Sequence, residues 1–466
     1  MELFNLFVLI FVVLIMSSYV LLASISISAL RNYLKENKSI NYEVLMSSAI
    51  SPKISVIAPA YNEANTIKEN IQSLLSLNYP NFEVIVVNDG STDDTMKLLN
   101  EAYKLKKTEA DYQHVIPTEK IREVYHSSNP AFSSLVIINK ENGGKADALN
   151  AGLNAAKNDY VVCIDVDCIM DKDALLKMAK PFMQQEENRV IAAGGVVRIA
   201  NSCIVKGGRL VEIKAPKKFL PRTQVLEYLR AFLLGRMGWS KMDGLLLISG
   251  AVGMFDKKIA LEAGGYDPNT VGEDMELIVR MRRYMIETKR AYTVKLIPDP
   301  LCWTEAPETI PVLRRQRSRW TRGTMETLWK HRKMFFNPKY KLLGMVSIPY
   351  WFLFEYLAPI IEVTGIIITI YLIVMGMISW NIFFLLLLFV YTFAVMISSL
   401  ALLTEEFTFH KYSRLADFSK LFLAALLEPF FFHPFTVYAA LKGNWEKFRK
   451  KTAWGEMVRT GFNKSN

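Results

Sequence analysis

Four stretches of this chain are too apolar to be loops, and they frame everything between them. From Leu3 to Leu30 almost every residue is apolar or small, and one bilayer crossing needs only about 20 such residues. Further apolar segments run from about Trp351 to Ser379, from Ile382 to Leu403 and, broken by prolines, from Phe418 to Leu441. No basic stretch precedes the first, so it reads as an uncleaved anchor rather than a signal peptide. Arg31, Lys35 and Lys38 follow it. By the positive-inside rule they leave the N-terminus outside and the middle of the chain in the cytoplasm, at the plasma (inner) membrane of a multi-pass protein. One early and three late crossings would put the tail outside, although Lys442, Lys447, Arg449, Lys450, Lys451 and Arg459 argue for the cytoplasm. Pro429 and Pro434 in "EPFFFHP" therefore suggest a re-entrant hairpin.

The middle has a different character. From about Lys53 to Ile310 apolar strands alternate with helical patterns: "KISVIAPAY", then "ANTIKENIQSLLSL", then "FEVIVVNDG". This alternation predicts an α/β domain of βαβ units with a mainly parallel sheet. Residues 101–134 read as a polar, irregular insertion. The expected organisation is a transmembrane helix at 1–30, a linker at 31–52, a cytosolic domain at 53–310, amphipathic interface helices at 311–350, transmembrane segments at 351–441 and a basic cytosolic tail at 442–466. At 466 residues the chain has room for all of them. The four cysteines show no metal-ligand spacing and read as reduced and buried. A net charge of +11 admits anionic lipid or phosphorylated substrates as partners; no nucleic-acid partner is expected.

Five motifs carry chemistry. The strand "ISVIAPAYNE" ends in Tyr61, Asn62 and Glu63, and the next ends in "NDGSTD" with Asp89. Ligands of open α/β sheets bind at such carboxyl ends, where Tyr61 could lie against a base and Asp89 could accept from a ribose or base; taken alone, NDGS reads first as a strand-terminating turn. "ENGGKADALNAGLNAA" is a glycine turn opening a helix, with Lys145 at an N-terminus whose dipole disfavours a cation unless a phosphate binds there. In "YVVCIDVDCIM", strand alternation would put Asp165 and Asp167 on one face, suited to Mg²⁺ or Mn²⁺. In "GGYDPNTVGEDMELIVRMRR", Glu273 and Asp274 open a helix, so Asp274 stays ionised and can take a proton, unless both acids merely cap. "LRRQRSRWTRG" places Gln316, Arg319, Trp320 and Gly323 roughly on one helical face, as a basic surface helix or a diphosphate and sugar site. Glu355 and Glu362, two turns apart, and Glu428 are ionisable groups in apolar segments that line a path or brace helices.

Taken in order, "APAYNE", "NDGS", "NGGKADALN", "DVD", "GED" and "QRSRW" resemble the family 2 glycosyltransferases of GT-A fold, specifically the processive membrane synthases that include cellulose, hyaluronan and poly-N-acetylglucosamine synthases. The resemblance spans about Ser55 to Gly323. It implies that Ala58, Tyr61, Glu63 and Asp89 hold uridine, Lys145 the diphosphate, and Asp165 with Asp167 the nucleotide and the Mg²⁺ or Mn²⁺. It makes Asp274, beside Glu273, the general base, and puts Gln316, Arg319 and Trp320 at the acceptor end over the diphosphate. The implied reaction is inverting transfer from a UDP-sugar to a growing β-linked glycan, coupled to export. The alternative is transfer of one sugar to a polyprenyl phosphate or other lipid-linked acceptor. The bundle is smaller than that of cellulose synthase, so a homo-oligomer, an export partner or a lipid acceptor would each complete it. Residues Asn201 to Ser240 stay outside the nucleotide site and are expected to shape the acceptor side.

Overall fold

The computed structural model describes residues 2–38, 51–108, 114–184 and 188–448. The chain divides into two compact units. One is built from Glu36–Lys214 and Leu245–Ala306, the other from Met1–Lys35, Ala215–Gly244 and Pro307–Val458.

The first unit is organised by a ten-stranded sheet. Its strands are β1 (Ile54–Ala60), β2 (Phe82–Asp89), β3 (Leu105–Thr108), β4 (Ile121–Ser127), β5 (Leu135–Lys140), β6 (Tyr160–Ile164), β7 (Ile169–Met170), β8 (Arg189–Ile199), β11 (Val252–Asp256) and β12 (Tyr292–Thr304), while β9 (Ile204–Lys206) and β10 (Arg209–Glu212) form a separate hairpin. The spatial order is β3-β4-β5-β2-β1-β6-β11-β8-β12-β7. The centre, β5-β2-β1-β6, is parallel, as the βαβ reading requires. The flanks differ: β3-β4-β5, β6-β11-β8 and β12-β7 pair antiparallel. Central β1 is buried along nearly its whole length. The helix Ile67–Leu75 buries Ile67, Ile71 and Leu74, spaced four and three apart, as one apolar face. The helix Lys145–Ala155 comes so close to β1 that a Cβ on Gly152 would sit 2.2 Å from Ile57 Cγ2.

Residues 101–134 are not irregular throughout, because β3 and β4 extend the sheet edge within them. Of β4 only Val124 is fully buried, so the alternation that betrays a strand is missing from its sequence. Exposed Lys106 and Lys107 on β3, and the two-residue length of β7, discourage pairing with another sheet at the two edges.

In the second unit, the helix Glu2–Asn37 runs well past Leu30 into the expected linker. Among the described residues two helices are long and apolar enough to cross a membrane, Val8–Asn37 and Trp380–Thr408; a bent pair, Leu343–Tyr356 with Ala358–Val374, makes a third if it counts as one span. The pair turns by 41° at Leu357, just before Pro359. Glu355 and Glu362, two turns apart in sequence, therefore lie on different sides of a bend. The expected hairpin at Pro429 and Pro434 is absent: Leu415–Phe448 is a single 34-residue helix through both prolines. Each proline removes only one backbone N–H, and packing against the helices Ile310–Lys330, Phe219–Leu229 and Trp380–Thr408 keeps the segment straight enough to continue. The basic tail from Arg449 onward lies outside the described residues.

Charged groups brace this unit. The Arg230 guanidinium donates to both carboxylate oxygens of Glu428 and, at 2.6 Å, to Ser398 Oγ. His433 Nε2 lies 3.0 Å from Glu362. Of the readings open for these acids, bracing is thus the one Glu428 satisfies. Arg230→Met should destabilise the protein by about 3–5 kcal/mol, because it leaves a buried carboxylate unpaired, and Arg230→Met with Glu428→Met should recover most of that loss. Thermal unfolding in detergent of the single and double variants measures both.

Candidate active site

The site is built where the central strands end. Beyond β1, Asn62 adopts the left-handed conformation at φ 54°, and the loop is stitched to the one after β2. Thr92 N donates to Asn62 Oδ1 at 2.8 Å, Glu63 N to Thr95 Oγ1 at 3.0 Å and Ala64 N to Asp93 Oδ2 at 3.0 Å. Glu63 Oε2 accepts from Thr66 Oγ1. The stitching leaves Tyr61 outside, 51% exposed at the rim. Ala58 is fully buried within β1, so its side chain serves the core.

Asp89 closes β2 and is buried, with its carboxylate filled by protein donors. Oδ1 accepts from Lys140 Nζ at 2.7 Å and Gly143 N at 3.0 Å, and Oδ2 from Gly144 N at 2.8 Å. Lys140 is fully buried and also pairs with Asp147 at 2.5 Å. Two expectations change here. The anion met by the Gly143 and Gly144 amides is Asp89, not a phosphate, and Asp89 is committed to the glycine loop. The loop needs its glycines: Gly144 has φ +87°, and a Cβ on Gly143 would lie 2.5 Å from Asp147 Oδ1. Lys140 escaped the sequence reading because a single lysine closing an apolar strand carries no pattern.

Lys145 opens the following helix, and acids relieve its conflict with the dipole. Its Nζ lies 2.5 Å from Asp165 Oδ1 and 3.5 Å from Glu273 Oε1. Burial alone would lower its pKa, but the charges of Asp165, Glu273 and Asp274 outweigh that and hold it above the ordinary lysine range. β6 stops at Ile164, and Cys168 N donates to Asp165 O at 3.0 Å, so Asp165 and Asp167 stand in a turn. The strand alternation invoked for them does not apply: the Asp165 side chain is 27% exposed, while Asp167 is buried. Among the described residues no group of three or more His, Cys, Asp or Glu is set to hold a metal ion. The two carboxylates fit a hard cation only as part of its shell, with other oxygens completing it.

A small pocket brings Lys145, Gly250, Tyr266, Glu273 and Asp274 together. Glu273 is buried and Asp274 half-exposed, at the first turn of the helix Glu273–Glu287. Asp274 Oδ1 accepts from Met275 N at 2.8 Å. Its other oxygen lies so near Gly250 that a Cβ there would come within 2.7 Å. Asn150 fixes the opposite wall by accepting from Tyr266 N at 2.7 Å and donating to Tyr266 O at 2.8 Å. Arg280 holds the glycine turn before Tyr266 through the carbonyls of Ala263 and Gly265. Burial pushes the Cys163 thiol, which also lines the pocket, up to about 12. Tyr266 and Asn150 lay inside quoted motifs, but only the folded chain joins them.

Gln316, Arg319 and Trp320 sit on the helix Ile310–Lys330 of the other unit. Trp320 is 39% exposed, Gln316 and Arg319 are half-buried, and Gln316 Oε1 is buried without a hydrogen-bond partner among the described residues. The arginine that anchors this helix is Arg317, which donates to both Glu227 oxygens at 2.7 and 2.6 Å and lies 4.2 Å from the Trp320 ring. Glu227 belongs to Asn201–Ser240, the segment the sequence reading left outside the nucleotide site.

The mixed sheet with a parallel centre, the aspartate turn after one strand and the acids opening a later helix lie within a segment that matches known families. Residues 118–323 match the family described as "Glycosyltransferase like family 2" and residues 55–122 match "Glycosyl transferase family 2"; segment 55–323 is a family 2 glycosyltransferase domain. The chain is 30% identical over 307 residues to a poly-beta-1,6-N-acetyl-D-glucosamine synthase of Staphylococcus epidermidis, covering 66% of this chain and 61% of that protein. It is 30% identical over 277 residues to the Staphylococcus aureus (strain MSSA476) protein of the same name, covering 59% and 55%. A mannosyltransferase from Pyrobaculum calidifontis, solved in complex with GDP-Man and Mn²⁺, superposes with a TM-score of 0.50 at 17% identity over 93% of this chain and 99% of its own. The fold is therefore GT-A.

Gly250→Ala should cut glycosyl transfer by about 10²-fold or more by displacing Asp274, with the thermal midpoint little changed; steady-state kinetics beside a melting curve tests this. With the partner carboxylates ionised, as at neutral pH, the Lys145 ion pairs stabilise the fold fully below the ordinary lysine range, and that stability is lost as pH rises through its raised pKa. The stability difference between wild type and Lys145→Met should thus stay flat from pH 6 to 9 in denaturant titrations.

Proposed function

We propose that the chain is an inverting, membrane-bound glycosyltransferase that uses a UDP-sugar to lengthen a β-linked polysaccharide on the cytoplasmic side of the inner membrane, with the product passed across the bilayer. The observation that carries this reading is the gathering of Lys145, Asp165, Glu273 and Asp274 at one rim. A nucleotide diphosphate needs positive charge facing it, an acceptor hydroxyl needs a base, and here the two meet in one small pocket. The names of the Staphylococcus relatives support a polysaccharide product.

In this reading Asp274, half-open and held by Met275 N and the closeness of Gly250, takes the proton of the acceptor hydroxyl as its oxygen attacks the anomeric carbon. The bond from that carbon to the diphosphate breaks, and UDP leaves with the electron pair. Glu273 stays buried against Lys145 and tunes its position. Asp165 and Asp167 would hold Mg²⁺ or Mn²⁺, which when bound supplies charge neutralisation for the departing diphosphate. Lys145 serves the same end from the helix N-terminus. Tyr61 offers its exposed ring to the base, with Ala58 and Glu63 shaping the strand end behind it, and Asp89 acts by fixing the glycine loop. Within the other unit, Gln316, Arg319 and Trp320 would bind acceptor sugar, and Gln316 Oε1, buried without a hydrogen-bond partner among the described residues, suits a sugar hydroxyl.

Asp274→Asn should lower turnover by about 10²–10⁴-fold while UDP-sugar binding persists. UDP release by purified protein with Mn²⁺ measures it, and equal release by both proteins would remove Asp274 as the base. Chelation should abolish release and Mn²⁺ or Mg²⁺ restore it. Product length decides the rest: long glycan supports elongation, while lipid-linked monosaccharide alone rejects it.

A further inference from the structure

The second unit holds a cavity of about 550 Å³ that the reaction above does not use. Its wall is Phe219, Leu220, Ile310, Leu427, Phe431 and Phe435, and the Phe219 and Phe431 rings meet edge to face at 6.3 Å. The size falls in the usual range for small ligands, about 300–1,000 Å³. A wall with no polar side chain takes hydrocarbon rather than sugar. Exposed Ile310 and Phe431 leave it open at the surface.

Charge at one end of the cavity says what kind of hydrocarbon. Phe219 and Leu220 are the first residues of the helix Phe219–Leu229, and Ile310 is the first of the helix Ile310–Lys330. Neither N-cap, Lys218 or Thr309, makes a side-chain capping bond. Two uncapped N-termini thus turn partial positive charge to the same place. Cations reinforce it. Arg222 lies one turn beyond Phe219 and is held there by donating to the carbonyls of Pro216 and Lys217 at 3.1 and 2.7 Å. Arg314 lies one turn beyond Ile310, on the same helical face. Against these and Lys218, the rim acid that pairs with Lys218 is Glu308, at 2.5 Å.

We propose that this groove binds an anionic phospholipid of the surrounding membrane, with one acyl chain along the phenylalanine wall and the phosphate at the paired helix N-termini beside Arg222 and Arg314. The same unit contains the membrane-length helix Trp380–Thr408 and, up to Lys35, the membrane-length helix Val8–Asn37. The helix that supplies Leu427, Phe431 and Phe435 packs on the second of them and exposes Phe422, Leu423 and Phe430 as well. A lipid therefore reaches the groove along a continuous apolar surface. Nothing in this depends on the sugar transferred or on the base.

The test uses the full-length protein purified in a neutral detergent and offered phosphatidylglycerol, phosphatidylcholine with the same acyl chains, a polyprenyl phosphate or inorganic phosphate, with bound species read by native mass spectrometry. Phosphatidylglycerol should be retained at least about fivefold over phosphatidylcholine. Leu427→Trp, which fills the groove, should remove that retention. Arg314→Gln should lower it toward the phosphatidylcholine level without moving the thermal midpoint, and this variant alone carries the comparison if Leu427→Trp does not fold. Equal retention of the two phospholipids, retention that survives both substitutions, displacement by inorganic phosphate, or preferential capture of polyprenyl phosphate would each overturn the proposal.

Discussion

The carboxylate of Asp89 is the point on which the site turns. By taking the Gly143 and Gly144 amides and the Lys140 ammonium, it folds the loop that opens the helix Lys145–Ala155. The direction of that helix aims Lys145 at Asp165 and Glu273. A buried ion pair adds little net stability against an apolar replacement of the same shape, yet removing one partner is costly. Its value here is geometric: a glycine loop with φ +87° at Gly144 has many alternatives, and four donors on one acid, from Lys140, Asn142, Gly143 and Gly144, select among them.

Side-chain amides do similar work deeper in the domain. Asn150 and Asn154, one turn apart on the same helix, each grip both the N–H and the C=O of a passing residue, Tyr266 and Ile116. Such two-point contacts replace a sheet ladder where the backbone is irregular. They tie the segment carrying Tyr266, and through it the approach to Asp274, to the helix that carries Lys145. The GT-A domain thus positions its pocket with one helix that serves at its N-terminus and along its flank.

Much of this was legible in order along the chain and little of it in contact. The parallel centre, the glycine turn and the acids opening a helix follow from periodicity and turn chemistry. The strands at 105–108 and 121–127 did not, since the edge strand and its neighbour bury too few side chains to leave an apolar alternation to read. Pro359 sits at the observed break, whereas Pro429 and Pro434 lie inside a helix; a proline marks where a helix can bend, and neighbouring helices determine whether it does. Arg317, rather than Arg319, holds Glu227, because one residue of rotation about a helix moves a side chain by 100° and sequence alone does not fix the face.

What the sequence determined by itself is the kind of element at each place and the chemistry each strand end carries, because hydrophobic period and turn residues act over a few positions. What only the tertiary structure decided is which charges meet: that Asp89 faces inward to Lys140 and the loop amides, that Lys145 lies between Asp165 and Glu273, and that Glu428 reaches Arg230. Electrostatic partners are chosen by distance in space, and residues separated by 198 positions in the chain become neighbours only when the packing of the apolar faces brings them there.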